Sequence, residues 1–206
     1  MALEINLTPR GLLTAYSNGI FPMWMEDENE VWWFRPNPRA ILPLDGFHLS
    51  HSLAKRIRQG EFEVTYDRAF EQVMRACAVR PGQGCWISEE FVAVYSQLHK
   101  KGFAHSVEVW QKGELVGGTY GVSIGGAFMA ESKFHTATDM SKVALYHLVQ
   151  RLNERGFHLL DVQYLTPHLA TLGVIEIPDY EYADRLLEAI DIDVQFDELT
   201  QIGSEP

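Results

Sequence analysis

Cysteine is nearly missing from this chain: Cys77 and Cys85 are the two among 206 residues. They show no C-x-x-C spacing, which excludes a disulfide framework and a zinc ribbon. Long apolar runs are missing too; none approaches the roughly 20 residues that span a bilayer, so no membrane partner is expected. The first residues lack the basic start and apolar stretch of a secretory signal, and a cytoplasmic address is the expectation. No G-x-x-x-x-G-K-[ST] exists, and no strand, glycine loop and helix follow one another as a dinucleotide site requires. The eight histidines contain no H-E-x-x-H, so neither a metal nor a cofactor is expected. There is no internal repeat.

Positive charge is also short. Lys and Arg number 17 against 28 acids, a net of −11, which argues against nucleic acid until the distribution is examined. Residues 174–206 hold ten acids and one base, a net of −9; the remainder is close to balance at −2. Within the remainder, residues 31–60 carry Arg35, Arg39, Lys55, Arg56 and Arg58 against Asp45, a local +4. For the Lys55–Arg58 cluster alone, a solvated helix face explains as much.

What is present is enough for one substantial core, since 46% of the residues are hydrophobic and 22% charged, ordinary values for a globular chain. Thr8-Pro9 starts a helix, with an N-cap and then proline at the first helical position. The next stretch places Trp24, Trp32, Trp33 and Phe34 among prolines, which reads as a loop-rich front, 1–38, forming a small subdomain. Its aromatic rings either cap the core or offer faces on which a base can stack. The main domain, 39–206, then follows. Helices are expected from Ser50, from Asp67 and from Ser88, the last with Glu89 and Glu90 at its positive end and Lys100 and Lys101 at its negative end. Three strands follow, 105–110, 115–124 and 127–134, joined by Lys112-Gly113 and Gly125-Gly126 turns. Gly117, Gly118 and Gly121 inside the second signal a bulge or the close approach of a ligand. In the third strand, alternation puts Met129, Glu131 and Lys133 on one face. The best helix runs from Asp139 to Arg155, with Met140, Val143, Ala144, Leu148 and Leu152 at helical spacing. After it come a strand, a short helix from Thr166, a short strand at 175–177, a helix from Tyr180 and an edge strand at 191–194. The tail past Phe196 is expected to fray. A meander followed by a crossover helix and further strands implies an α/β chain of the α+β kind with a mixed sheet.

The strand after the long helix, F-H-L-L-D-V-Q-Y at 157–164, is apolar except for Asp161 and Gln163. Two apart on a strand, they share a face. Burying an acid and an amide costs several kcal/mol unless they are partnered, so they form either a satisfied core network or a site.

Several stretches can now be read together. They include A-Y-S-N-G-I-F-P (15–22), W-W-F-R-P-N-P-R (32–39), H-L-S-H-S-L (48–53), W-I-S (86–88), L-V-G-G-T-Y-G-V (115–122), E-S-K-F (131–134), S-K-V-A-L (141–145), D-V-Q (161–163) and H-L-A-T-L-G-V-I-E-I-P (168–178). In this order they resemble the leucyl/phenylalanyl-tRNA–protein transferases, from about Leu12 to about Leu187. The resemblance implies an acetyltransferase-superfamily sheet beside a small N-terminal domain. It also implies an activity: leucine or phenylalanine passes from aminoacyl-tRNA to the N-terminal Arg or Lys of an acceptor protein, which then enters N-degron degradation. A monomer that needs no cofactor is the expectation.

The resemblance puts the reaction centre at Asp161, Gln163 and Glu131, with Gln163 orienting the amine or ester and the two carboxylates addressing the cationic acceptor. It assigns Trp86 and Trp24 to the terminal adenosine, an apolar amino-acid slot to Phe128, Leu145, Leu148, Leu152 and Leu160, and tRNA contacts to Arg56 and Arg58. The sequence departs from the family pattern at Met23, where tryptophan is frequent, at Ala130 in place of glycine, and at Lys133 and His135. Two other readings compete with transfer from tRNA. An acyl-CoA-dependent N-acyltransferase would want a glycine-rich pyrophosphate loop, but T-A-T-D-M-S precedes the long helix. A tRNA-binding module without activity is the other.

Overall fold

The structure, a computed structural model, describes residues 5–25, 28–79 and 87–197. Helix α1 (Pro9–Ser17) begins as its cap dictates, the Gly11 N–H donating to Thr8 Oγ1 at 3.1 Å. The aromatic front is a two-stranded ribbon rather than a loop: β1 (Phe21–Met25) pairs antiparallel with β2 (Glu30–Phe34). Pro22 is tolerated because a ribbon has free edges where its missing N–H costs nothing. Then come β3 (Arg39–Ile41), α2 (His51–Gln59), β4 (Glu63–Tyr66), α3 (Phe70–Ala78) and α4 (Glu89–Lys100). Strand β4 leaves almost no trace in the sequence, being four residues between two helices. Helix α3 starts three residues later than the pattern suggests, because Asp67 takes a left-handed φ of 58° that ends β4 instead.

The second half runs β5 (Ala104–Gln111), β6 (Glu114–Ile124), β7 (Ala127–His135), α5 (Met140–Glu154), β8 (Leu159–Gln163), α6 (Pro167–Ala170), β9 (Ile175–Ile177) and α7 (Asp179–Ile190). The edge strand expected at 191–194 does not form. That segment is irregular, held by Arg155 donating to the Gln195 carbonyl and Arg151 to the Phe196 carbonyl, both at 2.9 Å, with the Phe196 ring buried. The tail from residue 198 lies outside the described residues.

Seven strands form one mixed sheet in the order β4-β5-β6-β7-β8-β3-β9. The first four make an antiparallel meander, and α5 crosses over so that β8 runs parallel to β7. Strands β3 and β9 continue the sheet antiparallel. Each face has its own core. One packs Val143, Ala144, Leu148, Val149 and Leu152 of α5, all fully buried, against Phe128 and Leu160; each buried Val or Leu contributes about 1.5–3 kcal/mol. The other gathers α1, α3, α4 and α7 around Tyr16, Val73, Phe91, Tyr95 and Tyr182.

The β6 glycines serve the protein, not a ligand. A Cβ at Gly117 would lie 2.6 Å from the Met140 side chain, and one at Gly121 would lie 2.3 Å from the Met129 carbonyl oxygen. These residues let α5 and β7 sit against the strand.

Candidate active site

Strands β7 and β8 pair from Ala127↔Leu159 to Met129↔Asp161 and then part. Two parallel strands that separate leave a cleft between their ends, and it opens here as a cavity of about 410 Å³. One wall is β1 (Phe21, Pro22, Met23). The floor is β7 and β8, with Ala130, Glu131, Gln163 and Tyr164. The far wall is the start of α5 and α6, with Ser141, Leu145, His168 and Leu169.

Glu131 reaches the floor through a bulge. Tyr120 opposes Ser132 and Gly121 opposes Ala130, so Glu131 is the extra residue of β7. The bulge breaks the strict alternation expected along β7, and Glu131 and Lys133 both line the cavity. Burial pushes the Glu131 carboxyl up to about 8; hydrogen bonding with Tyr16 opposes the shift, Asp161 adds to it, and Arg39 and Tyr95 oppose it. The two tyrosine hydroxyls lie 2.5 Å apart in the core behind it. Gln163 Nε2 donates to Glu131 Oε1 at 3.2 Å.

Gln163 sits where β8 turns away. Its φ is 60°, and the Tyr164 N–H donates to the Val162 carbonyl at 2.8 Å, a one-residue turn. A non-glycine residue there stores about 1–3 kcal/mol of strain that its surroundings must hold. Asp161 holds it: the Gln163 N–H donates to Asp161 Oδ1 at 2.9 Å.

Asp161 itself does not reach the cavity. It is fully buried, with Arg39 Nε on Oδ1 at 2.9 Å, Arg39 Nη2 on Oδ2 at 2.5 Å and the Tyr182 hydroxyl on Oδ2 at 2.9 Å. This corrects the expectation that Asp161 joins Glu131 in addressing an acceptor. Its oxygens already hold four donors, and it acts on the site through Gln163. Arg39, also fully buried, donates further to the Gly19 carbonyl at 2.9 Å and stacks between the Phe21 and Tyr182 rings. One forked guanidinium thus ties the α1–β1 turn, β8 and α7 together. Gly19, at φ 72°, is needed there: a Cβ would lie 2.9 Å from the Tyr182 ring. Arg39 therefore leaves the surface patch, and Arg35 is paired with Asp179 at 2.8 Å.

Other expected positions divide. Leu145 lines the cavity, whereas Phe128, Leu148, Leu152 and Leu160 are sealed in the core beneath it, 0–2% exposed with Leu145. Helical and strand spacing marks all of them as apolar but cannot tell a lining atom from the layer below. Trp24 packs on the core and is not part of the cavity lining, whereas its neighbour Met23 packs on the same core and also lines the cavity. Trp86 lies outside the described residues. Arg56 and Arg58 stand in the last turn of α2, where positive charge also favours the helix end; neither lines the cavity. Missed in the sequence were Arg39, which counted there as part of a local positive patch, and Tyr16, Tyr95 and Tyr182, which no motif marked for the site. Away from the cavity, ligand-type atoms of Asp67, His105 and Asp197 lie within 4.8 Å of one another. His105 Nδ1 is already on Asp67 at 2.7 Å and Nε2 on the Gly102 carbonyl at 3.1 Å, and its ring stacks on Phe196 of the C-terminal segment.

Among the described residues no helix is long and apolar enough to cross a membrane. Among solved structures, L-PGS from Bacillus licheniformis aligns with TM-score 0.43 and 15% identity, covering 78% of this chain and 55% of that one. A GCN5-related N-acetyltransferase-like protein from Streptococcus suis aligns with TM-score 0.38 and 17% identity, covering 79% and 61%. Sequence relatives are far nearer. The leucyl/phenylalanyl-tRNA–protein transferase of Herpetosiphon aurantiacus is 50% identical over 191 residues, 92% of this chain and 98% of that protein. That of Gloeobacter violaceus is 50% identical over 192 residues, 93% and 98%. The family model for leucyl/phenylalanyl-tRNA protein transferase matches residues 41–187, and the model for its N-terminal domain matches 6–37. The chain belongs to the leucyl/phenylalanyl-tRNA–protein transferase family.

Proposed function

We propose that this protein transfers leucine or phenylalanine from aminoacyl-tRNA to the α-amine of an acceptor protein beginning with Arg or Lys. The observation that supports this best is the floor of the cavity, where Gln163 and Glu131 meet at 3.2 Å with the Glu131 carboxyl near 8. The reaction joins an activated ester to an amine. An α-ammonium titrates near 8, so roughly a tenth is neutral at pH 7. A carboxylate of nearly the same pKa takes its proton without a large uphill step. Gln163 turns its Nε2 end to Glu131, which leaves Oε1 to accept from the attacking amine. The amine adds to the ester carbonyl, the C–O bond to the ribose breaks, and the tRNA hydroxyl leaves with a proton. Holding the two reactants together supplies about 7–11 kcal/mol of such a barrier. The Arg39–Asp161 pair fixes the strained Gln163 turn and touches no substrate. Glu131 in its ionised form also attracts a cationic N-terminal side chain.

In this reading the product is an N-degron substrate, and the enzyme works in the cytoplasm as a monomer. The test is incubation with labelled leucyl-tRNA and peptides beginning with Arg, Lys, Asp or Ala. Label in the Arg and Lys peptides is expected. Label in none, with intact leucyl-tRNA, would overturn the reading.

A further inference from the structure

The segment after α7, residues 191–197, ends in a cluster of three titratable side chains from distant parts of the chain. His105 of β5 is 3% exposed, Asp67 between β4 and α3 is 14% exposed, and Asp197 closes the segment at 55%. His105 Nε2 faces the Gly102 carbonyl at 3.1 Å. A carbonyl only accepts, so that nitrogen carries a hydrogen. Nδ1 faces Asp67 Oδ2 at 2.7 Å and Asp197 Oδ2 at 3.9 Å. With Nδ1 bare and both carboxyls ionised, a lone pair and two anions would meet with no hydrogen between them. At least one proton is therefore held there. Asp67 Oδ1 is engaged elsewhere, accepting the Ser106 N–H at 2.8 Å. The other neighbours leave the count unchanged. His99 of α4, 3.7 Å from Asp67 Oδ1, has its Nδ1 on the Ala104 carbonyl at 2.8 Å. Arg151 and Arg155 of α5 donate to the Phe196, Gln195 and Asp197 carbonyls. Tyr66 of β4 meets the Phe196 ring edge-on, its phenol pushed up by burial. Lys101, Asp191 and Asp193 line a second cavity, about 540 Å³, which His105 and Asp197 also line.

We infer that residues 191–197 form a proton-operated strap, docked while a proton is shared among His105, Asp67 and Asp197 and lifted when that proton is lost. The geometry decides which part moves. His105 and Asp67 are fixed by the sheet and the β4–α3 turn, whereas Asp197 is the exposed partner on an irregular segment. Phe196 moves with it. Its ring stacks on His105 at 4.5 Å and lies 5.5 Å from Phe128, so lifting uncovers the core layer beneath the candidate active site. The direction follows from Asp197. Burial pushes its carboxyl up, and the hydrogen bond and charge of Asp67 add to the rise, against His105 and Arg151. That contribution to docking is complete below the ordinary 3.8 and is lost as pH climbs through the raised value. Asp67 does not offset the loss. Burial works to raise it, but the hydrogen bond and charge of His105 outweigh burial and hold it low, so its own contribution changes only in acid. The strap is independent of the transfer reading.

The test is hydrogen–deuterium exchange of peptides spanning 190–197, from about pH 5 to about pH 9, a range that brackets ordinary imidazole titration. Wild type and Asp67→Asn are compared at the same pH, so that the chemistry of exchange cancels. Asparagine accepts the left-handed φ of 58° at this position. Its oxygen can keep the Ser106 N–H while its amide donates to His105 Nδ1, replacing a removable proton with a permanent hydrogen. Protection of the strap in wild type is expected to fall relative to the variant as pH rises, approaching about tenfold per pH unit where the proton is lost. Peptides from α5 are expected to stay equally protected in both. Asp197→Asn removes the repelled charge, is expected to match Asp67→Asn, and decides the question should the first variant not fold. A ratio of protection that stays constant across the range would overturn the inference. So would an equal loss of protection in α5, which marks general unfolding, and so would a strap that opens as pH falls.

Discussion

Glu108 on β5 and Glu131 on β7 flank the same central strand, yet their surroundings differ. Glu108 is fully buried and closed: Thr65 Oγ1 donates at 2.6 Å, Ser106 Oγ at 2.5 Å and the Ala69 N–H at 3.3 Å. Every donor comes from the protein wall. Glu131 has the Gln163 amide on one side, the Tyr16–Tyr95 pair behind it and the cavity in front. A buried acid is therefore no sign of a site by itself. The sign is an acid whose partners leave one direction open, on a bulge that aims it there. Asp161 belongs with Glu108 by burial and with Glu131 by consequence, because it holds Gln163.

The largest effect is expected where a closed network loses a charge. Arg39→Leu leaves Asp161 unpaired at 0% exposure and is expected to cost about 3–5 kcal/mol, read from urea unfolding. Adding Asp161→Leu is expected to recover much of that loss without restoring transfer, since Gln163 then has no anchor. A single variant as stable as wild type would break the claim that the pair is a structural hub. Asp161→Ala is expected to remove stability along with activity, because Arg39 is left buried without its partner.

Gln163 separates strain from structure. Gln163→Gly is expected to hold or gain up to about 1 kcal/mol, because glycine accepts the φ of 60° without penalty. The same variant is expected to lose roughly a hundredfold or more in kcat/KM. A variant that is both stable and active would remove Gln163 from the chemistry. Gln163→Ala, which keeps the strain, gives the paired measurement.

Much of this architecture is legible in the sequence, and what is hidden is hidden for physical reasons. Caps at Thr8, Ser50 and Ser88, the Lys112-Gly113 turn and the α5 stripe are local signals, so the elements they define form where the pattern puts them. Asp161 and Gln163 stand out because they interrupt an apolar strand. The role of Arg39 is not local: its partners are 20 to 143 residues away, at Gly19, Asp161 and Tyr182. The Glu131 bulge is set by pairing with β6, which no window on β7 alone contains. The same limit made the layer below the cavity look like its lining, because periodicity gives a face and not a depth.

Glu131→Gln sharpens the contrast through pH. The folded carboxyl is raised to about 8 from an ordinary 4.5, so the folded chain keeps a proton that the unfolded chain releases across that interval. Unfolding is then favoured progressively as pH rises. The stabilising contribution is complete below about 4.5, is lost as pH climbs through about 8, and stays lost above. Relative to Glu131→Gln, the wild-type protein is expected to lose urea stability steadily over that window. Parallel stability curves for the two proteins would show that Glu131 ionises normally, and its part in proton transfer would go with it. Transfer by the variant is expected to fall, because glutamine accepts no proton.

The smallest effect, and the control for all the others, is expected at Glu108→Gln. The amide keeps the shape of the carboxylate but turns one acceptor into a donor, facing hydroxyls of Thr65 and Ser106 and the Ala69 N–H. The hydroxyls can rotate to accept from it, and the backbone N–H can keep the remaining oxygen. The cost should therefore stay near the value of one or two net hydrogen bonds, about 1–2 kcal/mol in urea unfolding. Transfer activity should remain within about twofold, because β6 separates Glu108 from the cavity and nothing on its carboxylate leads there. A large loss of kcat/KM without loss of stability would mean that the sheet carries changes at Glu108 across to the bulge. The line between a closed acid and an open one would then have to be drawn by coupling through β6 rather than by which groups face the cleft.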